Sequence, residues 1–126
     1  METNYVMCDT NIFIHWFNND KQTIEKLEEI GLSRIAVSSV TVMELIMGVD
    51  NKEQLQQLKK KIRHYTMVDF SESVSVLALQ LVENYKLSHN IQIPDAIIAA
   101  TAVINKMPLF TYNTKDFRYI PKIELL

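Results

Sequence analysis

Apolar residues follow two rhythms along this chain, and their alternation predicts an α/β fold. Short, largely apolar runs at Tyr5–Cys8, Arg34–Ser38, Thr66–Phe70 and Met107–Thr111 read as strands, and Ile123–Leu126 as a short last one. Between them the apolar positions take helical spacing. Ile12–Phe17 and Lys21–Ile30 form a helical pair, with Asn19-Asp20 restarting the second member and Gly31 ending it. Ser39 is placed to cap a helix through Val42, Glu44, Leu45 and Met47, and Gly48 with Asp50-Asn51 breaks it. Lys52–Tyr65 carries an apolar stripe of Leu55, Leu58 and Ile62, while Ser71–Leu87 points Val74, Leu77, Leu81 and Val82 inward. Pro94 marks the first turn of a helix over Asp95–Asn105, apolar almost all round and therefore expected against the sheet. Strands alternating with helices imply a mainly parallel sheet of four to five strands between helical layers.

With 126 residues, 48% hydrophobic and 22% charged, the chain is expected to form one domain over residues 1–126. A formal net charge of −2 excludes a generally polycationic nucleic-acid binder, so any contact with a phosphate backbone has to come from a local basic face. Lys59, Lys60, Lys61, Arg63, Lys115 and Arg118 are the candidates. Cys8 is the single cysteine and cannot form an intramolecular disulfide. The segment Met1–Val6 lacks the pattern of a signal peptide, and no window is long and apolar enough to span a bilayer. The cytoplasm is the expected compartment.

In open α/β sheets, ligands gather beyond the carboxyl ends of the strands. Asp9 lies at the end of the first strand, Glu44 in the helix after the second, Asp95 at the opening of a helix, and Asp116 just past the fourth strand. Each acid alone has an ordinary structural explanation. Asp95 favours a helix dipole, Glu44 could close a Thr41-x-x-Glu44 capping box, and Asp9 and Asp116 could end a strand or cap a turn. Jointly they mark one crevice. Carboxylates gathered within a few ångströms repel unless a cation shares the site, and an all-oxygen donor set selects Mg²⁺ or Mn²⁺ over zinc. Such an ion can activate water and stabilise phosphoryl oxygens, so phosphodiester hydrolysis is the expected chemistry. Asp9 and Asp95 are the candidate direct ligands, with Glu44 and Asp116 binding through water or a second ion. Thr10, Asn11, Thr111 and Asn113 are neutral polar neighbours suited to orienting carboxylates or touching a phosphate.

Four segments carry a family resemblance: VMCDTNIFI from Val6, SSVTVMEL from Ser38, IPDAIIAATAV from Ile93 and LFTYNTKDF from Leu109. In this order and spacing they resemble the PIN-domain family, specifically the VapC-type toxins of toxin–antitoxin pairs. The resemblance implies a three-layer α/β/α fold and Mg²⁺- or Mn²⁺-dependent endoribonuclease activity on RNA, neutralised by a cognate antitoxin. Its three firmest acids fall on Asp9, Glu44 and Asp95, and its variable last position falls on Asn113 or Asp116. It also implies an antitoxin segment laid against the early helices, where exposed apolar residues among Ile12–Phe17 could receive it, and toxins of this kind commonly dimerise. The rival readings are a PIN-like nuclease for DNA or structured nucleic acid and a catalytically silent module that binds RNA or protein.

Overall fold

The computed structural model describes residues 4–126; Met1, Glu2 and Thr3, with which the expected domain span begins, lie outside it. Four strands, β1 (Val6–Cys8), β2 (Ile35–Ser38), β3 (Thr66–Val68) and β4 (Leu109–Phe110), form a wholly parallel sheet in the order β3-β2-β1-β4. The two central strands are buried along their whole length, as a strand covered on both faces must be. The expected fifth strand shrinks to one parallel bridge between Leu109 and Leu125.

Side chains alternate across the sheet and so divide the core in two. Val6 and Cys8 of β1, Ile35 and Val37 of β2, and Phe110 of β4 face α1 (Thr10–Phe17), α2 (Lys21–Ile30) and α4 (Lys52–Ile62). Met7, Ala36 and Leu109 face the opposite side, where α5 (Glu72–His89) and α6 (Ile93–Ile104) pack. The result is three layers. Helix α3 (Ser39–Met47) joins both, placing Val40 in one half of the core and Leu45 in the other. Ala96, Ala99, Ala100 and Ala102 of α6 are wholly buried, and their small side chains let that helix approach the sheet closely.

Helix boundaries follow local chemistry. Asp20, Asn51 and Ser71 accept hydrogen bonds from the first turns of α2, α4 and α5, and Asn90 ends α5 in the left-handed conformation at φ 52°. Two expectations shift. The cap of α3 is Ser38, whose hydroxyl accepts from Val40 N, rather than Ser39. Helix α6 begins at Ile93 rather than Asp95, so Asp95 is its third residue.

The chain order creates a switch point. From β1 it runs to β2 and then β3 on one side, and the return through α5 and α6 brings β4 to the other side of β1. Beyond β1 the chain enters α1 and beyond β4 a short 3-10 turn over Thr114–Asp116, and such a switch point is where open α/β sheets form their crevice.

Candidate active site

Asp9, Glu44, Asp95 and Asp116 all line that crevice, an open cavity of about 360 Å³. Thr10, Asn11 and Asn113 line it too, and Ile14 supplies an apolar wall. Four elements distant in sequence thus deliver their acids to one place.

Asp9 is buried and caps α1 from the end of β1. Its Oδ1 accepts a hydrogen bond from Thr10 N at 2.8 Å, and its Oδ2 accepts one from the Thr111 hydroxyl at 2.9 Å. Thr111 Oγ1 accepts in turn from Asn113 N at 3.0 Å, so the chain leaving β4 orients the hydroxyl that orients Asp9. Asp9 N also donates to Phe110 O at 3.0 Å, which fastens the two strand ends together.

Glu44 is half-buried on α3, and its Oε1 accepts from the Thr10 hydroxyl at 2.7 Å. The Thr41 hydroxyl lies 3.0 Å from that of Thr10. Because each hydroxyl has one proton, the row is satisfied when Thr10 donates to the carboxylate and Thr41 to Thr10. The capping-box reading fails, since Thr41 is a buried interior residue of α3. Thr41 is the contributor that sequence reasoning missed as a site residue, and its place three before Glu44 was the available signal.

Asp95 stands on the first turn of α6, half-buried, and Asp116 closes a short 3-10 turn over Thr114–Asp116. Asp116 N donates to Asn113 O at 2.9 Å. Asn113 thus helps to shape the turn while Asp116 brings the fourth carboxylate.

The electrostatics record the crowding. Burial raises Asp9 first, the hydrogen bonds from Thr111 and Thr10 oppose the rise, and the charges of Glu44 and Asp116 add to it. Asp95 is pushed up to about 6, by burial first and then by Asp9, Asp116 and Glu44. The helix dipole favours a charged Asp95, but three neighbouring carboxylates and burial outweigh it. The acids ring the crevice: among the described residues, no group of three or more acidic, histidine or cysteine side chains stands ready to hold an ion as placed.

The basic candidates are all exposed, and none lines the crevice. Lys59, Lys60 and Lys61 lie in the last turn of α4 with Arg63 just beyond, and Lys61 Nζ sits 4.9 Å over the Phe17 ring. Lys115 is the middle residue of the turn that ends at Asp116, and Arg118 follows two residues later. Of Ile12–Phe17, Ile12 and Phe13 are fully buried, Trp16 and Phe17 are half-buried, and Ile14 is 44% exposed.

This arrangement defines an α/β/α protein with an acidic site at the switch point of its sheet. The family model for the PIN domain matches residues 6–123. A ribonuclease VapC from Rickettsia bellii is 30% identical over 98 residues, covering 71% of this chain and 73% of that protein. A chain of a toxin–antitoxin complex from Klebsiella pneumoniae is similar with a TM-score of 0.80 and 31% identity, covering 94% of each chain. VapBC2 from Rickettsia felis, solved bound to a DNA fragment from its promoter, gives 0.81 and 27%, with 97% of each chain covered. The chain belongs to the PIN domain family, among its VapC-type members. Among the described residues no helix is long and apolar enough to cross a membrane.

Proposed function

We propose that this chain is a metal-dependent endoribonuclease toxin that hydrolyses RNA phosphodiester bonds and is silenced by a cognate antitoxin. The observation that carries the reading is the meeting of four carboxylates from separate elements around one open crevice, with no lysine or arginine among its lining residues. Burial first and then the neighbouring carboxylates raise Asp9 and Asp95, and no lysine or arginine is among the groups that oppose the rise. A hard, all-oxygen donor set of this kind fits Mg²⁺ or Mn²⁺. Asp9 and Asp95 would hold the ion directly, and Glu44 and Asp116 through water or a second ion. Bound there, it would supply the positive charge that activates water and offsets charge on the phosphoryl oxygens.

The remaining work falls to the chain itself. Thr10 and Thr111 fix the Asp9 carboxylate, and Thr10 also fixes Glu44. Asn11 and Asn113, which line the crevice, would donate to a phosphate there, and the exposed Lys115 and Arg118 would meet the neighbouring backbone. Lys59–Lys61 and Arg63 serve, in this reading, a more distant part of a long substrate.

A second cavity adjoins the first. It is lined by Phe17, Leu45, Val49 and Leu58, and it shares Ile14 and Glu44 with the acidic crevice. An amphipathic antitoxin segment seated there would cover the entrance to the acids. The names of the relatives, a ribonuclease and members of toxin–antitoxin complexes, support both halves of the proposal. The setting proposed is the cytoplasm, with residues 1–126 acting as one PIN domain and two copies forming a homodimer.

The test is cleavage of matched RNA and DNA by antitoxin-free protein, with Mg²⁺, with Mn²⁺ and with EDTA. RNA should be cut only when a metal is present. Cleavage of DNA with every RNA left intact, or RNA cleavage undiminished in EDTA, overturns the proposal.

A further inference from the structure

Two rings meet across the fold, from segments thirty residues apart. His89, six residues before Asp95, stacks on Tyr119, three after Asp116, with ring centroids 3.9 Å apart and planes 17° from parallel. Tyr85, one turn earlier on α5, packs against Tyr119 at 5.0 Å and edge-on to His89 at 5.6 Å. Tyr119 and Tyr85 are half-buried against the core, whereas His89 is exposed. The pair therefore has a fixed inner ring and an outer ring accessible to solvent. A hydrogen bond of 2.7 Å between Ser88 Oγ and His89 Nδ1 holds the imidazole in orientation.

The pair stands at the end of the molecule that carries two of the acids: His89 is the last residue of α5, which packs on α6 where Asp95 lies in the first turn, and Tyr119 follows the turn that ends at Asp116. Tyr119 is raised by burial first and then by the charges of Asp95 and Asp116, in keeping with that placement. Four carboxylates repel phosphate, and no lysine or arginine lines the crevice itself. Substrate binding close to the acids therefore benefits from a contact that does not depend on charge attraction. Ring stacking on a nucleobase is such a contact, and it requires an unpaired base.

We propose that His89, held flat by Tyr119, is a stacking platform for an unpaired nucleobase next to the phosphate presented to the acidic crevice. The inference rests on the ribonuclease reading and deepens it: His89 is a substrate-binding residue, and Tyr119 is a positioning residue that acts through it.

The test uses a single-stranded oligoribonucleotide carrying 2-aminopurine, mixed with the whole protein in EDTA so that binding is read apart from cleavage. The wild-type protein should quench the fluorophore. His89→Ala should abolish the quenching and weaken binding about ten-fold, in the range expected for losing one base–aromatic stack, while His89→Phe should restore both. With Mg²⁺ the loss in His89→Ala should fall on KM rather than kcat, and it should vanish on an oligonucleotide made abasic at the stacked position. Absence of quenching by the wild-type protein overturns the platform, as does His89→Ala behaving like wild type or His89→Phe behaving like His89→Ala. Binding and quenching by a wild-type protein that cuts no RNA with Mg²⁺ upholds the platform and overturns the ribonuclease reading instead.

Discussion

Asp9 sits buried at the end of a central strand with both carboxylate oxygens hydrogen-bonded, whereas Asp95 stands half-exposed on the first turn of α6 and has no hydrogen bond holding its charge among the described residues. Both are raised, with burial as the first cause, yet only Asp9 has donors that oppose the rise. One carboxylate is held by the scaffold and the other is held against repulsion. The scaffold-held acid defines where a cation would sit, and the repelled acid gains most when one arrives.

The largest expected effect treats the two alike. Asp9→Asn and Asp95→Asn should each reduce RNA cleavage by at least about 10³-fold, because either change removes a proposed direct ligand. Single-turnover rates would check this, and substantial activity in either variant would remove that residue from the metal site. Stability should separate them. Without metal, Asp95→Asn should melt a few degrees above wild type because it relieves repulsion, while Asp9→Asn should gain nothing.

Next comes the support of the scaffold-held acid. Thr111→Val takes a donor from a buried carboxylate at a site where, among the described residues, no buried side-chain polar atom lacks a partner. Loss of about 1–3 kcal/mol in urea unfolding is expected, along with Mg²⁺ affinity weaker by about 10–100-fold. Unchanged metal binding would break the contrast between the two acids.

A smaller effect lies in pH. A carboxyl raised in the folded state binds its proton more tightly there than in the unfolded chain, so its contribution is fully present below the unfolded value of 3.8 and is lost as pH rises through the folded value of about 6. The metal-free protein should therefore lose stability across that window, by about 1 kcal/mol once solvent screening of the half-exposed group is allowed for. Asp95→Asn should flatten the profile, and Mg²⁺ should offset the loss at neutral pH. A wild-type profile that rises through the same window would contradict the contrast. Smallest is Thr10→Val, which loosens Glu44 and should cost about 1 kcal/mol while leaving the backbone bond to Asp9 in place.

The sheet and its helices were legible because a buried parallel strand and an amphipathic helix write different periods into the chain. The central strands at Val6–Cys8 and Ile35–Ser38 fell where their apolar runs are, since both faces need covering. Edges were less clear. Two adjacent serines offer equivalent hydroxyls, so pattern alone does not select Ser38 over Ser39 as the cap of α3. Leu125 contributes one bridge where a strand was expected. The four acids were legible as a group because each falls just past a strand end, in the first turn of a helix or, for Glu44, one turn further in. Partners across the fold were not: nothing periodic links Thr10 to Thr41 and Glu44, or His89 to Tyr119, and only the folded topology brings them together.

Cys8, fully buried beside Asp9 with its thiol pushed up to about 12 by burial first and then by the Asp9 charge, has a use beyond packing. Alkylating reagents attack the thiolate, and in the folded chain this sulfur is both neutral and inaccessible. Its modification must wait until the central strand opens, which makes the single cysteine a built-in clock for unfolding. An ion bound next door would stabilise the closed form by mass action and slow that clock in proportion to occupancy. The rate of alkylation against Mg²⁺ concentration would then report binding at the acids from behind the strand that carries them, with no RNA in the tube.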